Sequence, residues 1–305
     1  MPSSKCYHPI VAKYDGEKVY FPRSKEWVPY NPNTKTINLP CGRCRGCRLE
    51  YARQWAIRCF HEAMCHEENS FLTLTFNNEN LPPDGSLNVA TFQKFMKKVR
   101  NHTKKKHLRY FHCGEYGDKF GRPHYHVLLF GHDFADKKQH KLSSKNYKLY
   151  TSEILQKLWP YGYSYIGDVS FESASYVARY IFKKTDDRKK EHKNLNRLPE
   201  YCTMSRRPGI GKAWYDKHGW KSCHSNDVIN IPRNERVIQS KPPRYYDELL
   251  KASDPDAFNK IKEKRIEQMG EPLNSTREGV QRLKVLEEVN DIKINRLMRK
   301  LEVDT

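Results

Sequence analysis

Two periods of apolar residues recur along the chain. Phe71-Leu-Thr-Leu-Thr-Phe76 alternates, with Phe71, Thr73 and Thr75 on one face and Leu72, Leu74 and Phe76 on the other, as in a half-buried strand. Leu108 to Tyr116 predicts a second strand, Gly117-Asp-Lys-Phe-Gly121 a turn, and Arg122 to Phe130 the returning strand. Val127 to Phe130 is apolar at every position, which predicts cover on both faces. A further strand is expected at Tyr163 to Val169. Helical spacing connects Leu49, Ala52, Trp55, Ala56, Cys59, Phe60 and Ala63, with Arg48, Arg53 and Arg58 mostly off that stripe. The same spacing predicts helices over Val89 to Thr103, capped by Asn88 with Phe92, Phe95, Met96 and Val99 inward, and over Ser152–Trp159 and Glu172–Lys184. Residues 1–40 carry no firm signal. Val280, Leu283, Leu286, Asn290, Ile294, Leu297 and Leu301 lie near heptad spacing, an amphipathic helix that packs back or pairs with a partner. The class is α+β: an antiparallel sheet of about five strands with helices on one face and the site on the other.

Candidate chemistry lies on these elements. His124 and His126 alternate along a strand and so share a face. If the hairpin is simple, Glu115 lies opposite His124, giving two imidazoles and a carboxylate with open positions, a set that suits Mg²⁺ or Mn²⁺; Asp118 is the alternative third ligand. Tyr176, Tyr180 and Lys183 stand at i, i+4 and i+7 of one helix and share a face. Cys41-x-x-Cys44-x-x-Cys47, with Cys6 or His8 as fourth ligand, fits a structural Zn²⁺, reduced unliganded thiols being the other reading. The fourth cysteine and following proline of a ferredoxin run are absent, which argues against an iron–sulfur cluster.

Charge narrows the partner. The formal net charge is +20, and the 13 acidic and 13 basic residues from Arg244 onward cancel, so the surplus lies in residues 1–243. That imbalance favours a polyanion such as DNA. Lys94, Lys97, Lys98 and Arg100 belong to a stretch, Gly85 to Gly114, without an acidic side chain, a candidate surface for tracking the phosphate backbone without reading sequence. Ser205-Arg206-Arg207-Pro-Gly-Ile-Gly211 joins two arginines to a Gly-x-Gly turn whose amides suit a phosphate. No signal peptide or membrane span is expected, and the chain reads as cytosolic with its nine cysteines unpaired.

His124-Tyr-His126 followed by paired tyrosines and Lys183 resembles the HUH endonucleases. Cys6-Tyr-His-Pro, Cys41-Gly-Arg-Cys44-Arg-Gly-Cys47-Arg, Phe71 to Phe76, Gly114-Glu-Tyr-Gly117, Tyr176-Val-Ala-Arg-Tyr180 and Ser205 to Gly211 resemble, in consistent order, the replication initiators of the gokushovirus branch of the Microviridae. The resemblance implies an HUH/RRM-like core and a rolling-circle initiator that nicks and rejoins single-stranded DNA through a 5′-phosphotyrosine. Tyr176 and Tyr180 are then the nucleophiles, Tyr180 standing in a Tyr-x-x-Lys spacing that suits the first attack; Lys183 assists, and His124, His126 and Glu115 hold the metal. Implied partners are single-stranded and replicative-form origin DNA with the host polymerase. A host helicase is expected too, since the chain has no Walker-type motif, and the place of action is the cytoplasm of a bacterial host. The expected division is an N-terminal arm with the cysteine site and a helix (1–69), the endonuclease core (70–185), a basic linker with the Arg206-Arg207 loop (186–242) and a helical tail (243–305). A transposase or relaxase of the same superfamily, or a non-catalytic zinc-containing nucleic-acid-binding protein, are the competing readings.

Overall fold

The structure, a computed structural model, describes residues 6–21, 34–104, 108–117, 120–142, 147–179, 192–233, 236–268 and 276–299. In chain order the elements are β1 (Ile10–Tyr14), β2 (Val19–Tyr20), β3 (Lys35–Leu39), α1 (Arg45–Ala63), β4 (Asn69–Thr75), α2 (Val89–Thr103), β5 (Arg109–Tyr116), β6 (Pro123–Phe130), β7 (Lys138–Leu142), β8 (Lys148–Thr151), α3 (Glu153–Leu158), β9 (Ser164–Gly167), α4 (Phe171–Arg179), β10 (Tyr201–Met204), α5 (Lys212–Gly219) with a π-turn after it (Trp220–His224), β11 (Ile229–Arg233), β12 (Arg236–Ser240), α6 (Arg244–Ser253), α7 (Pro255–Glu267) and α8 (Arg277–Arg299). Residues 1–51 with 244–302 form one compact unit and residues 52–243 the other, the division falling inside α1.

The larger unit is built on an antiparallel sheet in the order β10-β5-β6-β4-β9-β8-β7. It has seven strands rather than about five. The lysine-rich insertion after His132 forms β7 beside β8, and Tyr201 to Met204 pairs with β5; all of β7 is exposed and all of β10 half-buried, so neither carries a strong apolar alternation. Helices also cover both faces, not one. Leu72, Leu74 and Phe76 pack with Tyr125, Val127 and Leu129 against Phe92, Phe95, Met96 and Val99 of α2 and Leu155 of α3. On the other face, Trp55 of α1 lies 5.2 Å from Phe111, and Phe171 of α4 meets Phe60 edge-on. A strand as continuously buried as β6 needs both layers. Asn88 caps α2 as expected, its Oδ1 accepting from the amides of Ala90 and Thr91. Arg53, expected off the apolar stripe of α1, is buried and donates to Ser240 Oγ and to the carbonyl of Lys241, 2.9 Å away.

Glu62 of α1 is the buried polar keystone of this unit. Its carboxylate accepts from Arg109 Nε and from the amide of Gly211 at 2.6 Å, while Arg109 also donates to the carbonyl of Pro208 and Arg58 to that of Ile210. Burial alone would raise the Glu62 carboxyl, but His66, the Gly211 amide and Arg109 together hold it below the usual carboxylate range. A depressed carboxylate contributes stability above its unfolded value, about 4.3, and loses it as pH falls through the folded one. Glu62→Gln is therefore expected to cost about 3 kcal/mol at neutral pH, with the gap from wild type closing in acid; chemical denaturation at pH 7 and below pH 4 measures both.

In the smaller unit, β2, β1 and β3 form a three-stranded sheet whose Ala12, Tyr14 and Ile37 pack with Ile266 of α7. Arg265 of α7 makes a two-pronged ion pair with Asp247 of α6 at 2.8 and 3.0 Å. Leu283 of α8 is buried, and Glu287 and Asp291 of the same helix pair with His8 and Arg45 of its own unit, so the C-terminal helix packs back there.

Candidate metal and nucleophile site

Register assembles the site. Antiparallel partners share a face, and β5 and β6 pair Glu115 with His124 and Cys113 with His126, while β4 sets Thr75 and Thr73 beside the same two histidines. The hairpin is simple, the condition under which the sequence set Glu115 opposite His124. His124 Nε2 lies 2.6 Å and His126 Nε2 2.9 Å from Glu115 Oε1. Each imidazole is also held from behind: His124 Nδ1 contacts the carbonyl of Arg122 at 3.2 Å, and His126 Nδ1 contacts Thr73 Oγ1 at 3.1 Å. The Arg122 carbonyl can only accept, which puts a proton on His124 Nδ1, and both Nε2 atoms face inward, as metal-binding histidines require. Ligands about 2.1 Å from one cation stand about 3 Å apart at right angles, so the spacing fits a divalent ion. Burial would raise the Glu115 carboxyl, but attraction and hydrogen bonds from His124 and His126 outweigh it and hold the group well below the usual range. Asp118 lies outside the described residues.

Tyr176 projects from the middle of α4 onto this cluster. Its ring meets His126 edge-on at 5.2 Å and Phe71 at 6.1 Å, and it is only half-buried. Strand and helix, some fifty residues apart in the chain, therefore bring a phenol to a histidine pair. Tyr180 and Lys183 lie outside the described residues. The alternation of Phe71 to Phe76 identifies the threonine face, and the resemblance sets that strand beside the histidine strand, but the sequence did not assign Thr73 or the Arg122 carbonyl the role of holding the imidazoles.

The four cysteines converge separately, in the smaller unit. Cys41 and Cys47 sulfurs are 3.9 Å apart and those of Cys44 and Cys6 3.8 Å, and all four lie within 4.8 Å of one another. Four sulfurs at 2.3 Å around a tetrahedral Zn²⁺ stand about 3.8 Å apart. Amides of Tyr7, Cys41 and Cys44 donate to sulfurs of this group. Cys6 thus provides the fourth sulfur, and His8 instead pairs with Glu287 at 2.9 Å.

The basic candidates lie elsewhere. Lys94, Lys97, Lys98 and Arg100 belong to α2, on the face of the sheet opposite His124 and His126. Arg206 and Arg207 are exposed on a loop beyond Met204, whose partner Phe111 lies about 14 Å along β5 from Glu115. The Gly211 amide, expected to be open to phosphate, is taken by Glu62. Among the described residues, no helix is long and apolar enough to cross a membrane.

A family model described as replication-associated protein ORF2/G2P matches residues 69–185. The chain is 34% identical to replication-associated protein VP4 of Bdellovibrio phage phiMH2K, over 87% of this chain and 84% of that protein. It is 31% identical to replication-associated protein ORF2 of Spiroplasma virus 4, over 82% and 81% respectively. Replication-associated protein ORF4 of Chlamydia phage 1 is 34% identical over 48% of this chain and 38% of its own length. No solved structure matches the chain.

Proposed function

The chain belongs to the replication-associated proteins of the gokushovirus branch of the Microviridae, and from that premise we propose that it starts rolling-circle replication by nicking and rejoining single-stranded DNA at the origin. The observation that carries this reading is the meeting of Tyr176 with His126 beside the converging Glu115 and His124. Bound by Glu115, His124 and His126, Mg²⁺ or Mn²⁺ would neutralise the phosphate's non-bridging oxygens and orient it.

The chain's own groups do the rest. A tyrosine phenolate attacks phosphorus, forming the tyrosine O–P bond as the P–O3′ bond breaks, so the 5′ end stays on the protein and the 3′-oxygen leaves to take up a proton. A phenol of pKa about 10 is mostly protonated at neutral pH, and the ammonium of Lys183 favours the anion. The freed 3′-hydroxyl primes the host polymerase behind a host helicase in the bacterial cytoplasm. Because the phosphotyrosine ester conserves the bond, rejoining needs no nucleotide cofactor. Tyr176 and Tyr180, four residues apart in the sequence, alternate: one holds the first 5′ end while the other cuts the regenerated origin.

Incubating the protein with labelled single-stranded origin DNA and Mn²⁺, then resolving the products under denaturing conditions, tests this. A covalent adduct with a free 3′-hydroxyl is expected; reversible, metal-independent retention would mean a binding protein. The cysteine set is proposed to hold a structural Zn²⁺. Elemental analysis is expected to find one zinc per chain, lost in Cys47→Ser together with several degrees of thermal stability.

A further inference from the structure

The face that carries the histidines continues across the sheet. Thr73 stands between His126 on β6 and Tyr165 on β9, and the three share one side of the sheet. Ser164 and Ile166, on the other side, are buried, whereas Tyr165 is half-buried. Adjacent strands lie about 4.8 Å apart, so Tyr165 is about 10 Å across the sheet from His126. Over its ring stands Lys141 Nζ, 5.2 Å from the centroid, and the His140 ring lies 5.8 Å away, tilted by 31°. Tyr163, at 62% exposure, is tied through its carbonyl to the amide and hydroxyl of Thr75, the residue opposite His124. None of these four side chains belongs to the buried core, and every residue of β7 faces solvent.

We propose that Tyr165 and Tyr163, with Lys141 and His140 from the β7–β8 hairpin, form a stacking platform for unpaired nucleobases next to the cleaved phosphate. The proposal rests on the nicking function above. A base stacks on an aromatic ring whatever its identity, while a lysine beside the ring is placed for the adjoining phosphate. Bases inside a duplex are already stacked and cannot use the ring. The platform therefore selects single strand over duplex at the site without reading sequence, which the basic face of α2, on the opposite side of the sheet, is not placed to do.

The full chain is tested with single-stranded DNA carrying 2-aminopurine at successive positions around the nick, and with a duplex of the same sequence. Tyr165→Leu is expected to weaken single-strand binding about tenfold to a hundredfold, to remove 2-aminopurine quenching at one position, and to leave duplex affinity within about twofold. Tyr165→Phe is expected to bind as wild type. Lys141→Ala, a change at an exposed position that spares the fold, is expected to lower the salt dependence by about one phosphate contact. Unchanged single-strand affinity in both Tyr165→Leu and Lys141→Ala overturns the platform, as does an equal loss on duplex. If wild type quenches 2-aminopurine but forms no adduct, the nicking function fails and the platform stands; an adduct formed by wild type with both Tyr165→Leu and Lys141→Ala binding single strand normally gives the reverse.

Discussion

The Tyr176→Phe/Tyr180→Phe double variant forms no covalent adduct with origin DNA, a fall of about 10⁴-fold or more, the scale on which removing a nucleophile acts. Phenylalanine keeps the edge-on contacts of Tyr176 with His126 and Phe71, so the ring stays in place and only the phenol oxygen goes. Each single variant retains one nucleophile and is expected to make the adduct while failing to close a circle, since closure requires a second attack with the first 5′ end still held. Denaturing gels read adduct and circle separately. An adduct surviving in the double variant would remove both tyrosines from the chemistry, and adduct loss with weakened DNA binding would point to a structural effect.

Glu115→Gln carries the second large effect. The amide keeps the shape of the carboxyl but removes the charge on which both Nε2 atoms converge. A cation worth several kcal/mol of phosphate-charge stabilisation corresponds to about 10³-fold in rate, and a loss of that order is expected at fixed Mn²⁺, with Mn²⁺ affinity measured by calorimetry falling in parallel. Thr73→Val grades the result. It spares all three ligands and removes only the oxygen behind His126, for which an affinity loss of about 10- to 100-fold is expected, with Thr73→Ser restoring binding. Full nicking by Glu115→Gln at saturating metal would take the carboxylate out of the site.

Much of the site was legible before any fold. Period-two alternation put His124 and His126 on one side of a strand, while Glu115 opposite His124 held only for a simple hairpin, and the structure supplied that register. The cysteine spacing named three of four converging sulfurs outright, and the structure chose Cys6 over His8 for the fourth. Residues 1–40 were unreadable because β1 to β3 are short and bury few of their residues, and β7 because a wholly exposed strand has no apolar alternation to show.

By itself the sequence determined the local geometry: which strand residues share a face, which helix carries Tyr176, and that the excess positive charge ends before Arg244. Those properties follow from the fixed periods of strand and helix and from counting. Only the tertiary structure decided what those faces meet. Strand order placed Thr73 behind His126 and Tyr165 beyond it, and layer packing set α4 over the histidines and the basic helix α2 on the far side. Strand neighbours and layers are chosen by burial of apolar surface summed over the whole sheet, a quantity that no single stretch of chain contains.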